Sequence, residues 1–234
     1  MDAGEPRHLD TSNRHGRRHD SGRVWGLSLA IKWLAVALVI KVVLTVAAAL
    51  PDYVPPNFQS DFLQGRDAYF YGAYAVAFYA HVASGPACLV SGLLLLSQRL
   101  RARNPGLHRR LGRWHVLVVV VLLVPSGLWM SAYAMTGTAA ASAFAVLSLA
   151  TLACAGMGWQ AAVNRRFDSH KQWMWRLFAL LSSAVVIRVF GGLATVAGSD
   201  GYYSLAAWAS WLLPLAVVEL AIRLAAYTTW RPML

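Results

Sequence analysis

The residues most able to do chemistry here are ionisable side chains inside long apolar runs. Lys41, His81 and Arg188 each lie deep in such a run, and Glu219 lies in another. A charge inside a bilayer costs several kcal/mol unless it faces a partner or a cavity, so each position is a functional candidate. An imidazole accepts or donates a proton, and a guanidinium stays charged with five donors. His81, Arg188 and Lys41 together could hold an anionic or carbonyl-bearing ligand. The plainer readings are a snorkelling stem for Lys41, a core histidine hydrogen-bonded to a carbonyl for His81, and an interfacial arginine for Arg188.

A second group is densely positive. His108, Arg109, Arg110, Arg113 and His115 lead one apolar run, and Arg165, Arg166, His170, Lys171 and Arg176 lead another. Such a cluster suits anionic phospholipid headgroups or an acidic partner, and its charge disfavours a metal cation. No metal site is expected. His8, His15 and His19 read as part of a solvated tail. Cys88 and Cys154 read as small apolar packing residues. The sequence has no paired carboxylates, nucleophile elbow, phosphate loop or HExxH zinc motif, which argues against hydrolytic chemistry.

The elements that must position these residues are membrane helices. Of 234 residues, 58% are hydrophobic and 13% charged, with a mean hydropathy of +0.48. Soluble domains carry about 25% charged residues. Six runs are long enough to span, roughly Val24–Leu50, Tyr69–Ser97, Trp114–Met135, Ser142–Val163, Gln172–Val196 and Ser204–Tyr227. They do not alternate apolar with polar residues, so helices are expected rather than barrel strands. Short connections make the fold an all-α, six-helix transmembrane bundle over residues 24–228. Residues 1–23 read as a disordered basic tail, and 229–234 as a short second tail. Span four is rich in alanine and glycine, which permits close helix approach at the bundle centre or at a homo-oligomer contact. Pro86, beside Gly85, is expected to kink span two.

The net charge of +11 is topological. Seventeen of the 21 Lys and Arg fall on one side of this arrangement and only Arg66 falls on the other. Positive loops mark the cytoplasm, so both termini are expected there, in a bacterial inner membrane. The partner is then the lipid bilayer and its anionic headgroups, not nucleic acid. Counting from the expected cytoplasmic edges, Lys41, His81 and Arg188 share one level about 24–26 Å deep, and Glu219 lies at about 14 Å.

Two stretches carry a resemblance. One is HVASGPACLVSGLLLLSQRLRARNPGLHRRLGR, from His81 to Arg113; the other is HKQWMWRLFALLSSAVVIR, from His170 to Arg188. Together they resemble the bacterial integral-membrane family catalogued as domain of unknown function 2306. Its pattern falls on His81, Gln98, His108, Arg109, Gly112, Arg113, His170, Trp173, Met174, Arg176 and Arg188. The family has tyrosine where this chain has His115, and Lys41 lies outside the motif region. The resemblance implies a histidine-bearing membrane bundle, loosely similar to cytochromes of the b561 type.

Two functional readings follow. The first is a redox-linked membrane protein binding haem b or quinone, with an electron-transfer partner. The second is a non-redox solute- or lipid-binding protein or transporter, or an accessory subunit without chemistry. Bis-histidine haem needs two ligands at one apolar depth, and His81 has no histidine partner at its level.

Overall fold

A computed structural model of the chain describes residues 33–60, 62–134, 137–197 and 202–229. The expected tail at 1–23, all but Thr229 of the expected tail at 229–234, the start of span one and the tail histidines lie outside these residues. Every regular element among the described residues is helical. Helices satisfy all backbone hydrogen bonds within one segment, which the apolar composition requires in lipid.

Five helices are long and apolar enough to cross a membrane, and a shorter apolar helix, α1 (Trp33–Ala48), precedes them. Contact clustering splits the chain into two units at Ile40, inside α1. Everything below concerns the larger unit, from Lys41 onward. A short connecting region holds α2 (Leu50–Tyr53) and α3 (Asp67–Phe70). The first long helix is α4 (Ala73–Leu95), entered through Gly72 at φ +82°, a conformation that glycine adopts without strain. Pro86 does not interrupt it.

The basic connection that follows is itself helical. Ser97 caps α5 (Gln98–Arg103) by accepting the Leu100 N–H at 3.3 Å. Pro105 then opens α6 (Pro105–Val118) in the first turn, where a missing N–H costs nothing. The third span therefore begins well before Trp114. It continues through a π-helical turn (Val119–Leu123) into α7 (Val124–Ser131). Pro125, which has no N–H to donate, directly follows the turn, and Ser126 Oγ donates back to the Leu122 and Leu123 carbonyls, at 2.6 and 3.0 Å.

α8 (Thr138–Val163) packs against α6, α7, α9 and α11, as its run of small residues suggests. Its end is a Schellman closure: Arg165 adopts φ +58°, while Arg166 N–H reaches the Ala161 carbonyl at 2.9 Å and Arg165 N–H the Ala162 carbonyl at 3.1 Å. α9 (Phe167–Leu181) and α10 (Ser183–Ala197) form one span with a break at Ser182. α11 (Tyr203–Thr229) runs back beside α8, α9 and α10.

One end of the bundle carries the arginines of α5, α6 and the α8–α9 turn. The other is aromatic. Sequence reasoning places its aromatic residues at the lipid interface, but many form a core of their own. Leu63, Phe70, Tyr74 and Phe78 are buried there, with Tyr53, Phe58 and Tyr69 packed against them. Arg66 ties the segment together by donating to the Phe62 carbonyl and the Tyr69 hydroxyl, at 2.6 and 2.9 Å.

Candidate functional site

Along α4, His81 lies eight residues below the aromatic end, about 12 Å. Its Nδ1 is 3.2 Å from Ser126 Oγ on α7. The Ser126 proton is already given to backbone carbonyls, so the imidazole is the donor. A neutral His81 therefore keeps its lone pair on Nε2. The ring is held closely: a Cβ at Gly127 would sit 3.3 Å from His81 Cε1 and 3.1 Å from Ser148 Oγ. The first turn of α7, just after the π-helical turn, thus supplies the oxygen that orients this histidine.

Arg188 stands nine residues from the same end of α10, about 13 Å. Its Nη1 donates to the Ala184 carbonyl at 2.7 Å. Among the described residues it forms no ion pair with a carboxylate. His81, Tyr53 and Tyr203 lie within its electrostatic reach. Lys41 is exposed on α1; its carbonyl accepts the Thr45 hydroxyl at 2.9 Å, and it forms no ion pair among the described residues.

Sequence reasoning missed one residue at this level. Trp211 lies eight residues into α11, about 12 Å from the aromatic end. It is 5% exposed, and its indole N–H is buried without a hydrogen-bond partner. Buried donors are nearly always satisfied, so such a group requires an explanation. Ten tryptophans gave no signal that this one differs from the interfacial ones.

The second group divides. His108 is half-buried near the start of α6, with Arg101, Arg109 and His170 within electrostatic reach. His170 Nδ1–H donates to the Gly158 carbonyl at 2.8 Å. His115 is buried deeper, with Nδ1 2.8 Å from Ser91 Oγ. The Ser91 hydroxyl donates to the Ala87 carbonyl, so His115 is again the donor. Arg113 is exposed and lines an open cleft of about 300 Å³ with Arg110, Trp114 and Leu117.

Arg176 lies deeper than its place in the basic group suggests. It is nine residues into α9 and pairs with Glu219 of α11 in a two-pronged contact: Nε to Oε1 at 2.5 Å and Nη2 to Oε2 at 3.0 Å. Its guanidinium also lies 4.7 Å from the Trp173 ring centroid, a cation–π contact. Trp173 and Met174 pack onto Gly158, where an added Cβ would overlap Met174 Cε and sit 3.3 Å from Trp173 Cβ. His170, Trp173 and Met174 of the second motif stretch thus gather at Gly158 of α8, while His81 and Arg188 lie toward the aromatic end. Cys88 and Cys154 are free and buried.

A haem iron does not fit these histidines well. His81 and the Ser91 partner of His115 are ten residues apart on α4, about 15 Å, so these two rings cannot share one iron. His108 and His170 stand among arginines. Among the described residues no group of three or more His, Cys, Asp or Glu could hold a metal ion.

Comparison with known proteins gives no match among curated proteins or solved structures. A family model does match, over residues 78–222, more than half of the chain and the whole of both motif stretches, and the chain belongs to that family, described as predicted membrane protein (DUF2306).

Proposed function

We propose that this polytopic membrane protein is redox-linked and holds a quinone headgroup between α4, α10 and α11, near the aromatic end. The observation that carries the reading is the buried, unpartnered Trp211 indole N–H at the level of His81 and Arg188. A quinone carbonyl is an acceptor that Trp211 and Arg188 could share. The quinol hydroxyl is a donor, and the Nε2 that Ser126 leaves unprotonated on His81 would accept from it. Tyr53 and Tyr203 add hydroxyls close to Arg188. The electrons would come from a separate electron-transfer partner. Protein purified from membranes should carry bound quinone in near-equal amount, extractable and measurable by chromatography. His81→Phe or Arg188→Gln should lower that yield at least fivefold. Equal quinone in both variants, or none in the wild type after expression in quinone-replete cells, would refute the reading. A Soret and an α band in a reduced-minus-oxidised spectrum would put haem in place of quinone.

A non-redox reading has one observation in its favour: Arg188 pairs with no carboxylate among the described residues, which also suits an anionic solute or lipid. Tight binding of such an anion, with no bound quinone, would select it.

The basic end is proposed to face the cytoplasm of a bacterial inner membrane, with both termini on that side. The asymmetry of Lys and Arg supports this. Reporter fusions after Arg103 and after Arg166 should report cytoplasm, and a fusion at Gln64 the opposite side. An outward report at Arg103 would reverse the orientation.

A further inference from the structure

We infer that the basic end holds a binding site for a phosphate group, centred on His108 of α6, with Arg101 of α5 and His170 of α9 within electrostatic reach. It is separate from the quinone site and does not depend on it. His108 Nδ1 is the second buried side-chain polar atom without a partner among the described residues. Leaving such a nitrogen unpaired is costly, so an external group that bonds it gains that advantage. The surroundings define the group. Arg101, Arg109 and His170 lie within electrostatic reach. Residues 98–118, which make up α5 and α6, include no Asp or Glu; Asp168 on α9 is exposed, and among the described residues it forms no ion pair. The two guanidinium groups repel a metal cation and favour an anion.

The geometry favours a tetrahedral oxyanion. His108 stands in the first turns of α6, where the helix dipole is positive and the leading amides lack partners within the helix. Gly106, in the same turn, has open space where a Cβ would point. His170 is fixed by its Nδ1–H bond to the Gly158 carbonyl, so its Nε2 donates to a ligand oxygen only in the imidazolium form. Arg101 on α5 and Arg109 on α6 are donors in every state, and imidazolium His170 adds one from α9. The phosphate could be the diester of an anionic lipid headgroup or a free ion.

The test uses the full chain in neutral detergent and isothermal titration. One arm adds inorganic phosphate. The other adds monomeric dihexanoylphosphatidylglycerol, with dihexanoylphosphatidylcholine as the zwitterionic reference. Saturable binding in either of the first two arms is expected, and the arm that responds identifies the source. His108→Phe and Arg109→Gln should each weaken it tenfold or more. Arg103→Gln, on α5 but not among the neighbours of His108, should change it less than twofold. If His108→Phe does not fold, His108→Gln, which keeps a polar side chain, is read beside Arg109→Gln. No saturable binding in either arm, or binding within twofold of wild type in the folded His108 and Arg109 variants, would overturn the site.

Discussion

Arg176→Ala should destabilise the bundle by about 3 kcal/mol, and Glu219→Ala by a similar amount, because each leaves one charge buried without its counter-ion. The side chains are only 16% and 34% exposed, and in a membrane much of that exposure is to lipid. The pair joins α9 to α11 through two hydrogen bonds, with Trp173 covering the guanidinium. The double variant Arg176→Met/Glu219→Leu should recover most of the loss, since both charges are then gone. Detergent-titrated unfolding of the wild type, the two singles and the double measures the loss and its recovery. Singles within 0.5 kcal/mol of wild type would mean that water reaches the pair and screens it.

Gly158→Val should cost about 1–3 kcal/mol by overpacking. α8 and α9 meet at Gly158, and the added atoms must displace Met174 and press on Trp173. The same displacement lengthens the His170 bond to the Gly158 carbonyl, so an altered His170 proton signal should accompany the lost stability. Gly156 lies two residues away with open space around its Cβ position. Gly156→Ala should therefore stabilise α8 by up to about 1 kcal/mol, through helix propensity alone. Opposite signs at the two glycines would locate the close approach at Gly158. Equal effects would mean that helix propensity, not packing, governs both.

Much of this architecture was legible in the sequence. Uninterrupted apolar length points to spanning helices, and each of the five long helices overlaps one of the expected runs. The small residues of span four announce its position against four neighbours. Hydropathy does not record where a span starts when its first turns are polar. α6 and α9 begin at Pro105 and Phe167, ahead of their apolar stretches. Counted from residue 172, Arg176 lies near the surface; counted from Phe167, it reaches the level of Glu219. That offset hid the ion pair. Pro86 is expected to kink span two, and α4 runs through it as one helix; a π-helical turn, which hydropathy does not record, precedes Pro125. The placement of His81 and Arg188 in the half of the bundle near the aromatic end followed from helix rise alone. Trp211 did not, because only burial separates an orphaned indole from an interfacial one.

The central claim is a quinone headgroup beside His81, Arg188 and Trp211. The most direct measurement is photolabelling of the wild-type protein in membranes with an azido-quinone, followed by mass spectrometry of the adducts. Labels should concentrate on α4 around His81, on α10 around Arg188 and on α11 around Trp211, and excess unmodified quinone should compete them away. Labels scattered along the lipid-facing surface, or confined to the basic end and insensitive to competing quinone, would contradict the account.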